Sequence, residues 1–158
     1  MLDERGRREL EDAYRELGGD LWRAVFAYSG GVRDVADEAV AEAFAQAGHR
    51  IEHIRSLKPW LYTAAFRIAA GELRRRRRIG TGVVTHDPDP RTDSVNEVIE
   101  MTGKLTPRQR GAFVLRDVFG YSSRESAELL GVSEVAVRVH LHAARRRLRE
   151  RLRSGDDG

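Results

Sequence analysis

The sequence predicts an all-α protein: two small helical domains, residues 1–79 and 94–158, joined by a flexible linker at 80–93. Three observations lead there. Apolar residues recur at helical spacing through both halves. Helix-start signatures with a Ser or Thr followed three residues later by Glu or Gln recur in the second half. The stretch GTGVVTHDPDPRTD between them clusters Gly, Pro, Thr and Asp without any period. No strand-like alternation runs beyond a few residues, and there is no internal repeat.

In the first half, Leu10, Tyr14, Leu17, Leu21, Val25 and Tyr28 keep a helical period, which predicts a helix over 8–28 ended by Gly30-Gly31. Ala36, Ala39, Val40, Ala43, Phe44 and Ala47 make the apolar face of a second helix. Asp34, Asp37, Glu38 and Glu42 accompany it; they suit the positive end of a helix or a partner surface, and the residues alone leave both readings open. Residues 48–58 read as a polar connector. Pro59 fits a first helical position. Leu61, Ala64, Ala65, Ile68 and Leu73 then mark a third helix running into five consecutive arginines, 74–78. Arginines stacked at a helix end favour anion binding over a solvated face. Trp60, Tyr62 and Phe66 beside them could stack on unpaired bases or simply be core.

In the second half, Ser94 with Glu97 suggests a capping box for a short helix, and Thr106-Pro107-Arg108-Gln109 a stronger one. That helix carries Phe113, Val114, Leu115 and Val118 and stops near Gly120. Ser122 with Glu125 caps the next, Gly131 turns the chain, and Ser133 caps the last helix. On that helix Val137, Leu141, Ala144 and Leu148 form one apolar stripe, and Arg138, His142, Arg145 and Arg149 follow one residue later. One side packs while its neighbour meets phosphates or base edges, the layout of a helix-turn-helix. Residues 154–158 are expected to fray.

Composition narrows the function. The net charge is only +3, but its distribution is uneven: a near-balanced start, the arginine block, an acidic linker and a basic C-terminal half. There is no cysteine, hence no disulfide and no thiolate metal site. The His49/His53 pair lacks further ligands, so no metal or cofactor is expected. No apolar run approaches the ~20 residues of a membrane span. The opening MLDERGRREL lacks a signal peptide's apolar core, so a cytoplasmic protein without membrane insertion is expected. No nucleophile, phosphate loop or paired carboxylates point to an enzyme.

Several of these segments resemble the bacterial sigma factors of the extracytoplasmic-function (ECF) group. LTPRQR at 105–110, VLRDVFGYS at 114–122, AELLGVS at 127–133, then Val137-Arg138, Leu141-His142 and the run 144–148 match that family's region 4. Residues 37–44 resemble region 2.2; Trp60-Leu61-Tyr62 with Leu73-Arg74-Arg75 resembles regions 2.3 and 2.4. The resemblance spans about residues 10–153.

It implies a protein that binds core RNA polymerase through the β′ coiled coil and β flap, brings it to promoters and starts their melting. Asp37, Glu38, Glu42 and Phe44 would meet the β′ coiled coil. Trp60, Tyr62, Arg67, Arg74 and Arg75 would contact the −10 element and the non-template single strand. Arg124, Ser133, Glu134, Arg138, His142 and Arg145 would read the −35 element as double-stranded DNA. An anti-sigma protein is a further implied partner. Alternatives are a helix-turn-helix regulator working without polymerase and a degenerate homologue acting as an anti-sigma decoy.

The chain departs from the family pattern at Ala41 (usually Gln), Arg67 (Asn) and Gly71 (Asp). Val139 replaces a usual Ser, and His140 and Ala143 replace usual arginines, three positions expected to be exposed. Ser126 stands for a buried Ile or Leu, its hydroxyl expected to bond a carbonyl of its own helix.

Overall fold

The computed structural model describes residues 2–80 and 93–156. Apart from its two end residues, the expected linker lies outside them. Among the described residues there are seven α-helices and no strand. They are α1 (Glu4–Ser29), α2 (Arg33–Arg50), α3 (Leu57–Arg78), α4 (Asp93–Thr102), α5 (Pro107–Phe113), α6 (Ser123–Leu130) and α7 (Glu134–Asp156).

The first helix begins earlier than periodicity suggests. Asp3 caps it, accepting from Gly6 N at 2.7 Å, a start marked by chemistry rather than by an apolar residue. Gly30, at φ 80°, ends it in the left-handed conformation. Ser29 Oγ donates to Phe26 O and accepts from Val32 N, so one hydroxyl both closes α1 and opens α2. Tyr14, expected in the core stripe, is 64% exposed; Ala13 is buried instead. The supposed connector 48–58 is largely ordered: α2 continues to Arg50, a 3₁₀ turn follows at Ile51–His53, and α3 opens at Leu57. Pro59 is therefore the third helical residue, still in the first turn, where backbone N–H groups lack an intrahelical acceptor.

Alanines make the packing close. Ala36, Ala39, Ala43 and Ala47 of α2 are all buried against α1 and α3, with Leu21, Val25, Phe26, Leu61 and Phe66 filling the centre. The same apolar cluster continues into the second half through Ile99, Val114, Leu115 and Leu129. Phe66 lies 5.3 Å from Phe119 and 5.8 Å from Tyr121, ring centre to ring centre. The two halves thus share one core along the side of α3 that faces α6.

The second half follows its capping chemistry. Thr106/Gln109 and Ser122/Glu125 both form complete capping boxes, and Ser133 Oγ accepts from Ala136 N at 3.1 Å. Ser94 lies inside the first turn of α4, not ahead of it; residue 92, next to the helix start, is outside the described residues. Between α5 and Gly120 the helix widens into a π turn at Val114–Val118, sealed by Phe119 N donating to Val114 O. Val137, Leu141, Ala144 and Leu148 are all buried, as their spacing predicts. The last helix runs to Asp156 rather than fraying at Ser154, whose Oγ donates to Glu150 O. Ser126 is fully buried, but its hydroxyl finds no hydrogen-bond partner among the described residues, against the expected carbonyl bond.

Candidate nucleic-acid interface

Helix α7 presents the first candidate surface. Gly131, at φ 70°, turns the chain between α6 and α7, and the buried stripe fixes which side of α7 faces out. Arg138 and His142 are exposed there without an ion-pair or hydrogen-bond partner among the described residues. Val135 and Val139, 65% and 61% exposed, flank them. Arginine forks suit guanine edges or phosphates, and exposed apolar groups suit thymine methyls. Glu134 is exposed at the first position of the helix. Ser133 is exposed too, but its oxygen is occupied by the cap. Arg124, on α6, sits 3.9 Å from Glu128 in an open, weak pair.

Arg145 is engaged differently. Its Nε and Nη2 donate to Asp117 Oδ2 and Oδ1 at 2.9 and 2.6 Å. Those bonds hold the Asp117 carboxyl below its ordinary pKa despite partial burial. Two of the three positions expected to be exposed are not: Ala143 is half-buried, and half-buried His140 turns into the recess beside Arg108. Burial, and then Arg108, push the His140 pKa down. Only Val139 stands out toward solvent.

Helix α3 carries the second surface. Trp60 and Arg67 are seven residues apart and share a face, Trp60 half-buried and Arg67 exposed. Tyr62 lies about 200° around the helix from Trp60, its ring 6.5 Å from that of Phe119 in the other half. Burial is the main cause that raises its phenol pKa. The five arginines have separate fates. Arg75 and Arg76 converge on Glu72, with Arg75 Nη2 at 2.7 Å and Arg76 Nε at 3.0 Å. Those hydrogen bonds draw the Glu72 carboxyl down to about 2. Arg74 Nη1 donates to the main-chain oxygen of Leu130, the last residue of α6. Arg77 and Arg78 remain exposed and without a carboxylate partner among the described residues.

Helix α2 carries the third. Asp37, Glu38 and Glu42 form an exposed acidic face, interrupted by Ala41. Asp37 accepts from Trp22 Nε1 at 2.8 Å, and Glu42 accepts from Gln46. Phe44 is half-buried, edge-on to Tyr14 at 5.3 Å, beside an open groove lined by Leu10, Tyr14 and Phe44.

Sequence reasoning missed Trp22, Glu72, Arg110 and Asp117. Glu72 was findable, since it precedes Arg75 and Arg76 at i+3 and i+4. The Arg145–Asp117 pair spans 28 residues, and Arg110 reaches Tyr28 O and Ser29 O more than 80 residues away; no local pattern announces either.

Known proteins resemble this chain in sequence and in fold. The family model for Sigma-70, region 4 matches residues 96–148. The chain is 31% identical over 171 residues to the ECF RNA polymerase sigma factor SigG of Mycobacterium tuberculosis, covering 85% of this chain but only 45% of SigG. It is 30% identical over 166 residues to the RNA polymerase sigma factor CarQ of Myxococcus xanthus, covering 94% of each. Its fold matches the sigma factor RpoE of Bartonella quintana, solved with the anti-sigma factor NepR, with a TM-score of 0.64 at 20% identity over 92% of this chain and 98% of RpoE.

Proposed function

Because the chain belongs to the ECF sigma factors of bacterial RNA polymerase, we propose that it binds core polymerase and directs it to promoters. The observation that carries this is α7, held by a capped turn, with Arg138 and His142 exposed on its outer face. In this reading residues 94–158 form the region-4 unit and read the −35 element as duplex DNA. Residues 1–79 form the region-2 unit, which contacts the −10 element through Trp60, Arg67 and the arginine block. The acidic face of α2 meets the β′ coiled coil, and region 4 meets the β flap. The protein works in the cytoplasm and is not itself a catalyst. An anti-sigma protein, as in the NepR complex, would act by covering these surfaces.

The packing of the two halves adds a mechanical requirement. The −35 and −10 elements lie roughly 25 base pairs apart, about 85 Å of duplex at ~3.4 Å per pair. A chain of this length folded compactly has a radius of gyration of about 15 Å. The shared core must therefore part before both elements are held at once, and polymerase binding supplies the free energy to part it.

Reconstitution with core polymerase tests the function. The full chain should co-purify with core enzyme and give transcripts from a defined start on promoter DNA. DNA binding without polymerase association would instead identify a free-standing helix-turn-helix regulator. Binding only to an anti-sigma protein would identify a decoy.

A further inference from the structure

Arginines gather at the seam between the two halves. Arg74, Arg77 and Arg78 reach from the end of α3, and Arg108 from the start of α5, into one cleft of about 500 Å³ that Gly71 also lines. A narrower recess shares Arg74, Arg77 and Arg108 and adds Tyr28 and His140. Among the described residues, no carboxylate lines either space. Arg75 and Arg76 have Glu72 as a counter-charge, but Arg77, Arg78 and Arg108 form no ion pair among the described residues.

Gathering like charges opposes the closed packing. Partial burial first, and then Arg108 and Arg74, push the Arg77 pKa down. Planar guanidinium forks match phosphate oxygens bidentately. The volume falls within the roughly 300–1,000 Å³ of small-molecule sites.

We propose that this seam is a binding site for a compact oligophosphate anion, of the pyrophosphate or nucleoside triphosphate kind, held between α3 and α5. Its ligands come from both halves, so occupancy favours the closed arrangement over the open one. Gly71 keeps the site cationic and open. A Cβ built on it comes no nearer than 3.9 Å to any other side chain, and that neighbour is Arg74 Nη2. An aspartate there would supply an internal counter-ion without a clash.

Isothermal titration calorimetry of the full chain tests this, with inorganic pyrophosphate, GTP and orthophosphate as probes. One equivalent of pyrophosphate or of GTP should bind, whichever source supplies the phosphates, with orthophosphate weaker by about tenfold or more. Gly71→Asp and Arg108→Gln should each weaken pyrophosphate by about tenfold or more. Arg8→Gln, which removes the same charge from the exposed face of α1, should leave binding unchanged. Equal binding by wild type and Gly71→Asp, or an equal loss in Arg8→Gln, would reduce the effect to general charge attraction and overturn the site. So would failure of both pyrophosphate and GTP to bind.

Discussion

Arg74 of α3 donates to the main-chain oxygen of Leu130, where α6 ends. A second arginine makes the converse reach: Arg110 of α5 donates to Tyr28 O and Ser29 O, where α1 ends. Each helix end is finished by a left-handed glycine, Gly131 and Gly30, with the opposite half's arginine packed onto it. A Cβ at Gly30 would stand 2.6 Å from the Arg110 guanidinium carbon, and one at Gly131 2.7 Å from Arg74 Nη1. Helix C-termini carry partial negative charge and unpaired carbonyls, so cations satisfy both. The halves therefore hold one another by reciprocal capping as well as by the Phe66–Phe119 contact.

Replacing both arginines, Arg74→Ala with Arg110→Ala, should loosen the closed form while each half keeps its own helices. Small-angle scattering should show a larger radius of gyration, with helical circular dichroism retained. An unchanged radius would mean that the apolar seam alone holds the halves together.

The Arg145–Asp117 pair makes a different prediction. A partly exposed bidentate pair is worth about 0.2–1 kcal/mol, so Asp117→Asn should cost little stability. It should free Arg145 and tighten binding to a −35 duplex by a few-fold, measured by fluorescence anisotropy. Arg145→Ala should weaken that binding. If Asp117→Asn weakens it as well, the pair positions α7 for DNA and Arg145 is not itself a reader.

Among the described residues Arg138 has no such competitor. Arg138→Ala should remove about 1–3 kcal/mol of discrimination between wild-type and mutant −35 elements. Promoter-variant transcription assays with core polymerase read this directly. An unaltered ranking of the variants would move base readout elsewhere on α7.

The helices and caps were legible because their signals are local. Ser122, Glu125, Gly131 and Ser133 lie within one short stretch and form the bonds that their spacing predicts. The buried stripe of α7 follows from its period for the same reason. What could not be read depends on the meeting of distant segments. His140 lines a recess shared with Arg108 and α3, and Tyr62 is engaged by Phe119. The uneven fate of the arginine block has the same origin: Glu72 takes two of the five, and a carbonyl of α6 takes Arg74. At Ser126 the anomaly was legible, since a polar residue replaces an aliphatic one, but the structure denies its hydroxyl the expected partner.

That residue yields a stability prediction. A buried hydroxyl without a partner carries a desolvation cost of about 1–3 kcal/mol. Ser126→Ala removes the hydroxyl, leaves little void and raises helix propensity. It should raise the melting temperature, and urea unfolding should show a gain of about 1 kcal/mol. A loss of stability would show that the hydroxyl bonds within the folded protein after all.

Glu72 sets an acid limit. Its folded pKa, about 2, lies below its ordinary value of 4.5 because Arg75 and Arg76 bond the carboxylate. The folded state thus binds the proton more weakly than the unfolded chain does. The contribution to stability is present above about pH 4.5 and fades as pH falls toward 2. Glu72→Gln should be less stable than wild type at about pH 6, with the gap closing toward about pH 2. Urea unfolding at both conditions measures this, and a gap independent of pH would point to packing in place of charge. The same variant leaves Arg75 without the Glu72 carboxylate, so the salt dependence of DNA binding should steepen by roughly one phosphate contact. A steeper slope with an unchanged acid limb would assign Glu72 to masking the arginines rather than to holding α3.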